Sequence, residues 1–297
     1  MASERPQSYF DPLVLAKITK MSVRARYVVE GMLSGLHKSP YRGYSVEFAQ
    51  HREYVPGDEI RRIDWKAYGK FDRYFIKEYE EETNLRAYLL LDASASMDYG
   101  TAGLRKFDYG CYLAASLAYL MLHQGDEVGL ATFGTAVQRY IPPRGGMQHL
   151  HALASHLEMT QPQGETRLEQ VLQELARKIK QRGLIVVISD LLDAPEAVMR
   201  TLHYFRHRRH EVIVFHVMDH DELEFPFQRL TVFEDSEHPA TRVLSDPRTI
   251  RDAYLQQLQG FLQEYQQACR REAIDYHLFA TTTPLDVALT HYLARRQ

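Results

Sequence analysis

Cysteine is nearly absent from this chain of 297 residues: Cys111 lies in an apolar helical pattern, Cys269 in a Gln-rich one, and there are no others. Nothing in the sequence places the two together, so no structural disulfide is expected and the core must rest on burial. An excess of either charge is also missing. Lys and Arg number 36 against 39 Asp and Glu, a net charge of -3, which gives no global attraction to nucleic acid or to an anionic membrane. Any basic surface must be local. No run approaches the roughly 20 continuous apolar residues of a membrane span. The opening MASERPQSYFDP is polar, without the basic-then-apolar layout of a secretion signal, so a cytoplasmic location is expected. Internal repeats and low-complexity linkers are lacking too, which argues against a flexible tether between domains.

What is present divides into three textures. From Asp11 to Gly35, apolar residues including Leu13, Leu15, Ile18, Met21, Val28 and Met32 recur at mostly helical intervals, with Asp11 as a cap ahead of Pro12. Next comes a stretch dense in aromatics and in both charge signs, with a turn at Pro56-Gly57-Asp58, which reads as short strands and turns. After Asn84 the apolar strands LRAYLLLD, EVGLATF, LIVVISD and EVIVFHVM are separated by helical patterns, with AVQRYIPP as a short strand ended by Pro142. ELEFPF, RLTVFED and TRVLSD are expected to be short strands of an insertion or sheet edge. A long Gln-rich helix from Pro247 follows, in which Gly260 is a weak point; a last strand, AIDYHLFAT, and a closing helix complete the chain. The expected organisation is residues 1–82 as an N-terminal helix and β/turn segment packed on a main domain of residues 83–297. That main domain is α/β: a mainly parallel central sheet with helices on both faces.

In an open parallel sheet, ligands gather outside the carboxyl ends of the strands, where loops converge and helix N-termini point their amides. Asp92 closes YLLLD and Asp190 closes LIVVISD. Ser94 and Ser96 follow Asp92 at alternate positions, and Thr166 stands where a loop enters a helix; Thr160 in the same region is the competing hydroxyl. Together these loops offer five oxygen donors: Asp92, Ser94, Ser96, Thr166 and Asp190. Two carboxylates among neutral hydroxyls suit a hard cation, Mg²⁺ with Mn²⁺ as the usual substitute. If the hydroxyls bind directly and the carboxylates act largely through water, the ion stays electrophilic, and an acid from a partner can complete its shell.

This arrangement resembles the metal-ion-dependent adhesion site of von Willebrand factor A domains: Asp-x-Ser-x-Ser after the first strand, a Thr in a later loop and an Asp after the next central strand. Upstream, GDEIRRIDW supplies Gly57, Asp58, Arg61, Ile63, Asp64 and Trp65 in the pattern of the bacterial family called domain of unknown function 58. The resemblance spans essentially the whole chain. It implies a Rossmann-like A domain that binds proteins rather than transforms a substrate, and a role as adaptor or assembly partner of a MoxR-type AAA+ ATPase or of that ATPase's client.

Other readings of the same residues are weaker. A haloacid-dehalogenase-like phosphotransferase needs a second Asp where this chain has Ser94, and a serine-hydrolase elbow needs glycines where Ser94 has Ala93 and Ala95 beside it. A Mg²⁺-dependent phosphoester hydrolase using Asp92 and Asp190 stands as the alternative function. His203, His207 and His210 lack a completing Cys or acid at familiar zinc spacing. The sole tryptophan, Trp65, with Asp58, Arg61, Arg62 and Asp64, mixes charges that argue against nucleic acid and suit a protein interface or internal packing.

Overall fold

The computed structural model describes residues 85–101, 103–237, 240–287 and 289, with residues 21, 25, 26, 28, 29 and 74 and, as backbone, 51–53 and 75–77. Residues 1–35 and 85–297 form one compact unit and residues 36–84 a second. In the second, β1 (His51–Glu53) pairs antiparallel with β2 (Phe75–Lys77), His51 opposite Lys77. The turn at Pro56-Gly57-Asp58 lies outside the described residues, as do Asp58, Arg61, Arg62, Asp64 and Trp65. Of the N-terminal helix, Met21, Ala25, Val28 and Val29 are helical and buried, a spacing that puts them on one face.

The larger unit is built on a six-stranded sheet. Its strands are β3 (Arg86–Asp92), β4 (Glu127–Phe133), β5 (Val137–Arg144), β6 (Leu184–Ser189), β7 (Glu211–Met218) and β10 (Asp275–Ala280). The order across the sheet is β10-β7-β6-β3-β4-β5, with every neighbour parallel except β5, which runs antiparallel on the edge. Central strands here read as near-continuous apolar runs because helices cover both faces. On one face Tyr88, Leu90, Ile185, Val187 and Val214 pack under α3 (Leu168–Lys178), α4 (Pro195–His207) and α6 (Pro247–Arg271). On the other lies α1 (Lys106–His123), almost wholly buried, with α2 (Met147–Met159) beside it. Gly110 lets α1 approach: a Cβ there would stand 2.8 Å from Leu91 Cδ1 and 3.3 Å from Ile188 Cγ2.

The first strand of this sheet sits in its middle. The chain adds β4 and β5 on one side, then returns to place β6, β7 and β10 on the other, so the direction of winding reverses between β3 and β6. Such a switch point opens a crevice at the carboxyl ends of the two strands. Register fixes what stands there: Leu91 is opposite Ile188, so Asp92 and Asp190 leave adjacent strands side by side.

The structure differs from the sequence pattern at two places. β5 runs on through Pro142 and Pro143 to Arg144, because an edge strand has a free side on which missing amides are harmless. ELEFPF is no strand: α5 (His220–Glu224) occupies its start, held by a capping box between Asp219 and Glu222, and Phe225 ends it in a left-handed conformation at φ 47°. RLTVFED and TRVLSD do supply strands: β8 (Thr231–Glu234) and β9 (Arg242–Ser245) pair antiparallel as a separate hairpin, the insertion of the two expected alternatives. Gly260 does not interrupt α6, and both cysteines are buried thiols.

Gly183, just before β6, holds the decisive register. A Cβ at this position would lie 2.2 Å from the backbone oxygen of Arg86, and no side-chain movement relieves a clash with backbone. Gly183→Ala should destabilise the protein by about 1–3 kcal/mol, read as a lower midpoint in urea unfolding; an unchanged midpoint would mean that β3 and β6 tolerate separation here.

Candidate functional site

Asp92, Ser94 and Asp190 are fully buried and Ser96 is 5% exposed. The end of β3 is held open by specific bonds. Asp92 Oδ1 accepts the Ser94 N–H at 2.9 Å, and Asp92 Oδ2 accepts the Ser189 hydroxyl at 2.6 Å, while Ser189 Oγ accepts the Leu191 N–H at 2.9 Å. Asp92 does tie the turn that follows it, as a strand-end acid would. Ser94, however, starts the short 3₁₀ turn Ala95–Asp98 without its side chain capping that turn. Its hydroxyl lies 3.0 Å from the hydroxyl of Ser96, the alternate position bringing both to one place.

Leu191 follows Asp190 with φ 53°, a left-handed conformation that costs a non-glycine residue of order 1–3 kcal/mol. Burial of its side chain and the bond from Tyr265 Oη to its carbonyl oxygen, 3.1 Å, hold it there. The kink turns the chain sharply where Asp190 leaves the strand.

The loop before α3 is laid along the serine loop by two backbone bonds, Gln163 N–H to the Ala93 oxygen at 2.9 Å and Ala95 N–H to the Gly164 oxygen at 2.8 Å. Thr166 lies two residues beyond that tie. Thr160 spends its hydroxyl on the carbonyl of His156, 2.8 Å away at the end of α2. Thr166 instead donates both its hydroxyl and its N–H to one oxygen of Glu237, at 2.7 and 3.0 Å. The sequence reading missed Glu237, which comes from the turn of the β8–β9 hairpin. Charge in a turn gives no signal of where that turn reaches.

Lys106 was missed as well. It is the first residue of α1, its side chain is wholly buried, and its ammonium reaches Asp190 Oδ2 at 2.8 Å and Glu222 Oε1 at 2.6 Å. Burial works against the charged ammonium, but the two carboxylates outweigh it and raise its pKa, so it stays a cation. Glu222 is in turn placed by the capping box that fixes α5. Sequence offered no sign of a buried lysine beyond its position at a helix start.

One ammonium does not neutralise this group of acids. Burial first, and the nearby Asp190 second, push Asp92 up to about 7 from the ordinary carboxylate range. Asp190 Oδ1 is buried and accepts no hydrogen bond among the described residues. A buried acceptor left bare is costly, and the two serine hydroxyls that follow the adjacent strand β3 are bonded to each other. Asp92, Ser94, Ser96, Thr166 and Asp190 could offer oxygen alone, and among the described residues no group of three or more His, Cys, Asp or Glu side chains is arranged for a metal. Two acids plus neutral hydroxyls is the chemistry of a hard, partly hydrated cation rather than of zinc.

Replacing Lys106 by Met should leave Asp190 and Glu222 without their counter-charge and cost about 3–5 kcal/mol of folding stability. Denaturant unfolding measures it; a loss below roughly 1 kcal/mol, the value of an exposed pair, would show that the acids are neutralised by other means.

Several known proteins are similar to this chain. The chain is 30% identical over 248 residues to Uncharacterized protein Rv1480 of Mycobacterium tuberculosis, covering 82% of this chain and 77% of that one. It is 24% identical over 155 residues to Uncharacterized protein YeaD of Bacillus subtilis, covering 52% and 37%. Among solved structures it is similar to the conserved hypothetical protein BatB from Bacteroides thetaiotaomicron, with a TM-score of 0.49 at 15% identity, over 71% of this chain and 98% of that one. It is also similar to the SpRpn10 VWA domain, with a TM-score of 0.44 at 12% identity, over 70% and 94%. These distant likenesses add nothing to what the strand order itself displays. Residues 50–260 match the family described as Protein of unknown function DUF58, and the chain belongs to that family.

Proposed function

We propose that this protein is a Mg²⁺-dependent protein-binding module, with Mn²⁺ as a substitute, and not an enzyme. Asp92, Ser94, Ser96, Thr166 and Asp190 would hold the ion, and the ion would supply a Lewis-acid grip on a carboxylate brought by a partner protein. The observation that carries this reading is the bare, buried Oδ1 of Asp190 after β6, with the paired hydroxyls of Ser94 and Ser96 in the loop that follows the adjacent strand β3. Both oxygens of Asp92 already accept hydrogen bonds, so in this reading its carboxylate acts on the ion largely through water. The partner's identity rests on the family resemblance alone, which points to a MoxR-type AAA+ ATPase or its client.

No helix among the described residues is long and apolar enough to cross a membrane. The segment with Asp58, Arg61, Arg62, Asp64 and Trp65 is a second contact surface for the same partner in this proposal, on the strength of its mixed charge and its single tryptophan.

Calorimetric titration of Mg²⁺ into wild type and Asp92→Ala tests the metal site. The variant should bind about 10- to 100-fold more weakly, the loss expected when a carboxylate that orients a metal shell is removed; equal affinities would contradict the site. Capture of partners from the native cell on the immobilised chain, with and without chelator, tests the second half: recovery of an ATPase should vanish with chelator, and metal-indifferent recovery would place the interface elsewhere.

A further inference from the structure

Thr166 is the member of the candidate set that remains partly exposed, while Asp92, Ser94, Ser96 and Asp190 are buried. On that open side the chain has already placed an acid of its own. Glu237 takes both the hydroxyl and the N–H of Thr166 on Oε1, so neither bond uses Oε2. A threonine hydroxyl that donates to a carboxylate keeps its lone pairs for a cation, so the two groups can serve one ion together.

The turn is shaped to present this side chain. Asp235 Oδ1 accepts the Glu237 N–H at 2.9 Å, and Asp235 N–H closes the turn on the Thr241 oxygen at 3.1 Å. Among the described residues, β8 and β9 pair with each other and with no strand of the main sheet, so the hairpin can leave Thr166 without breaking a main-sheet bond. Its root is fixed instead by aromatic packing: Phe225 lies with its ring centroid 4.5 Å from Tyr254 and 5.6 Å from Phe233. Val232 and Leu244, paired across the hairpin, are 56% and 62% exposed, so its outer face is apolar and open.

We propose that Glu237 is an internal ligand of the site: it occupies the coordination position otherwise taken by the partner's carboxylate, and an acidic partner binds by displacing the hairpin turn. This rests on the cation reading of the site given above. The bond to Thr166 alone would also suit a purely structural clasp between two loops, and the Glu237→Gln variant separates the two. Its amide oxygen would still accept both Thr166 bonds, yet a neutral amide is a far poorer ligand for a hard cation.

The test uses the full chain loaded with Mn²⁺, reading water-proton relaxation per bound ion and the Mn²⁺ affinity in wild type, Glu237→Gln and Glu237→Ala. In both variants the vacated position takes water, so relaxation per ion should rise, affinity should fall about tenfold, and acetate should reverse the rise in the variants while leaving wild type unmoved. Relaxation and affinity equal to wild type in Glu237→Gln, with Mn²⁺ still bound, would overturn the internal ligand and leave the metal site standing. Absence of Mn²⁺ binding by wild type would overturn both.

Discussion

Two carboxylates, Asp92 and Asp190, leave adjacent parallel strands side by side, fully buried, and the buried ammonium of Lys106 is shared between Asp190 and Glu222. Much of the surrounding structure answers to that concentration of charge. Ser189 and the Ser94 amide bond Asp92, Lys106 is drawn down from the start of α1, and the capping box of α5 brings in Glu222. Even so, the Asp92 carboxyl is pushed up to about 7, by burial first and Asp190 second, and one oxygen of Asp190 accepts no hydrogen bond among the described residues. The fold places the pair there through the reversal of winding between β3 and β6 and the register that Gly183 protects.

Much of this was legible in the sequence, for reasons that can be stated residue by residue. Strands such as LIVVIS are apolar throughout because both faces are covered, and their abrupt ends on Asp92 and Asp190 mark the carboxyl edge of the sheet. The serine spacing was legible because a turn brings alternate side chains together, as the 3.0 Å approach of Ser94 and Ser96 displays. What was not legible depends on contacts between segments distant along the chain. Lys106 looks like any polar helix start until Asp190, 84 positions away, and Glu222 close around it. Glu237 meets Thr166 across 71 positions. ELEFPF read as a strand from its apolar residues, whereas Asp219 and Glu222 make a capping box whose local bonds decide for helix.

In the proposed reading, the hairpin would give the site a role beyond holding an ion. A cation in an oxygen cage attracts any carboxylate, and a site without its own acid is open to all of them. An internal glutamate raises the threshold: a partner must bring an acid together with enough additional contact to offset the one it displaces. The apolar outer face of the same hairpin lies where such contact is available. Recognition and release would then turn on one short turn in that proposal.

Crystals grown with Mn²⁺ and measured at the manganese absorption edge address the cation itself. An anomalous peak between the end of β3 and Asp190, at bonding distance of about 2.2 Å from the Ser94 and Ser96 hydroxyl oxygens, is the expected result. A map with no peak there, the Asp190 carboxylate instead satisfied by Lys106 and ordered water, would contradict it.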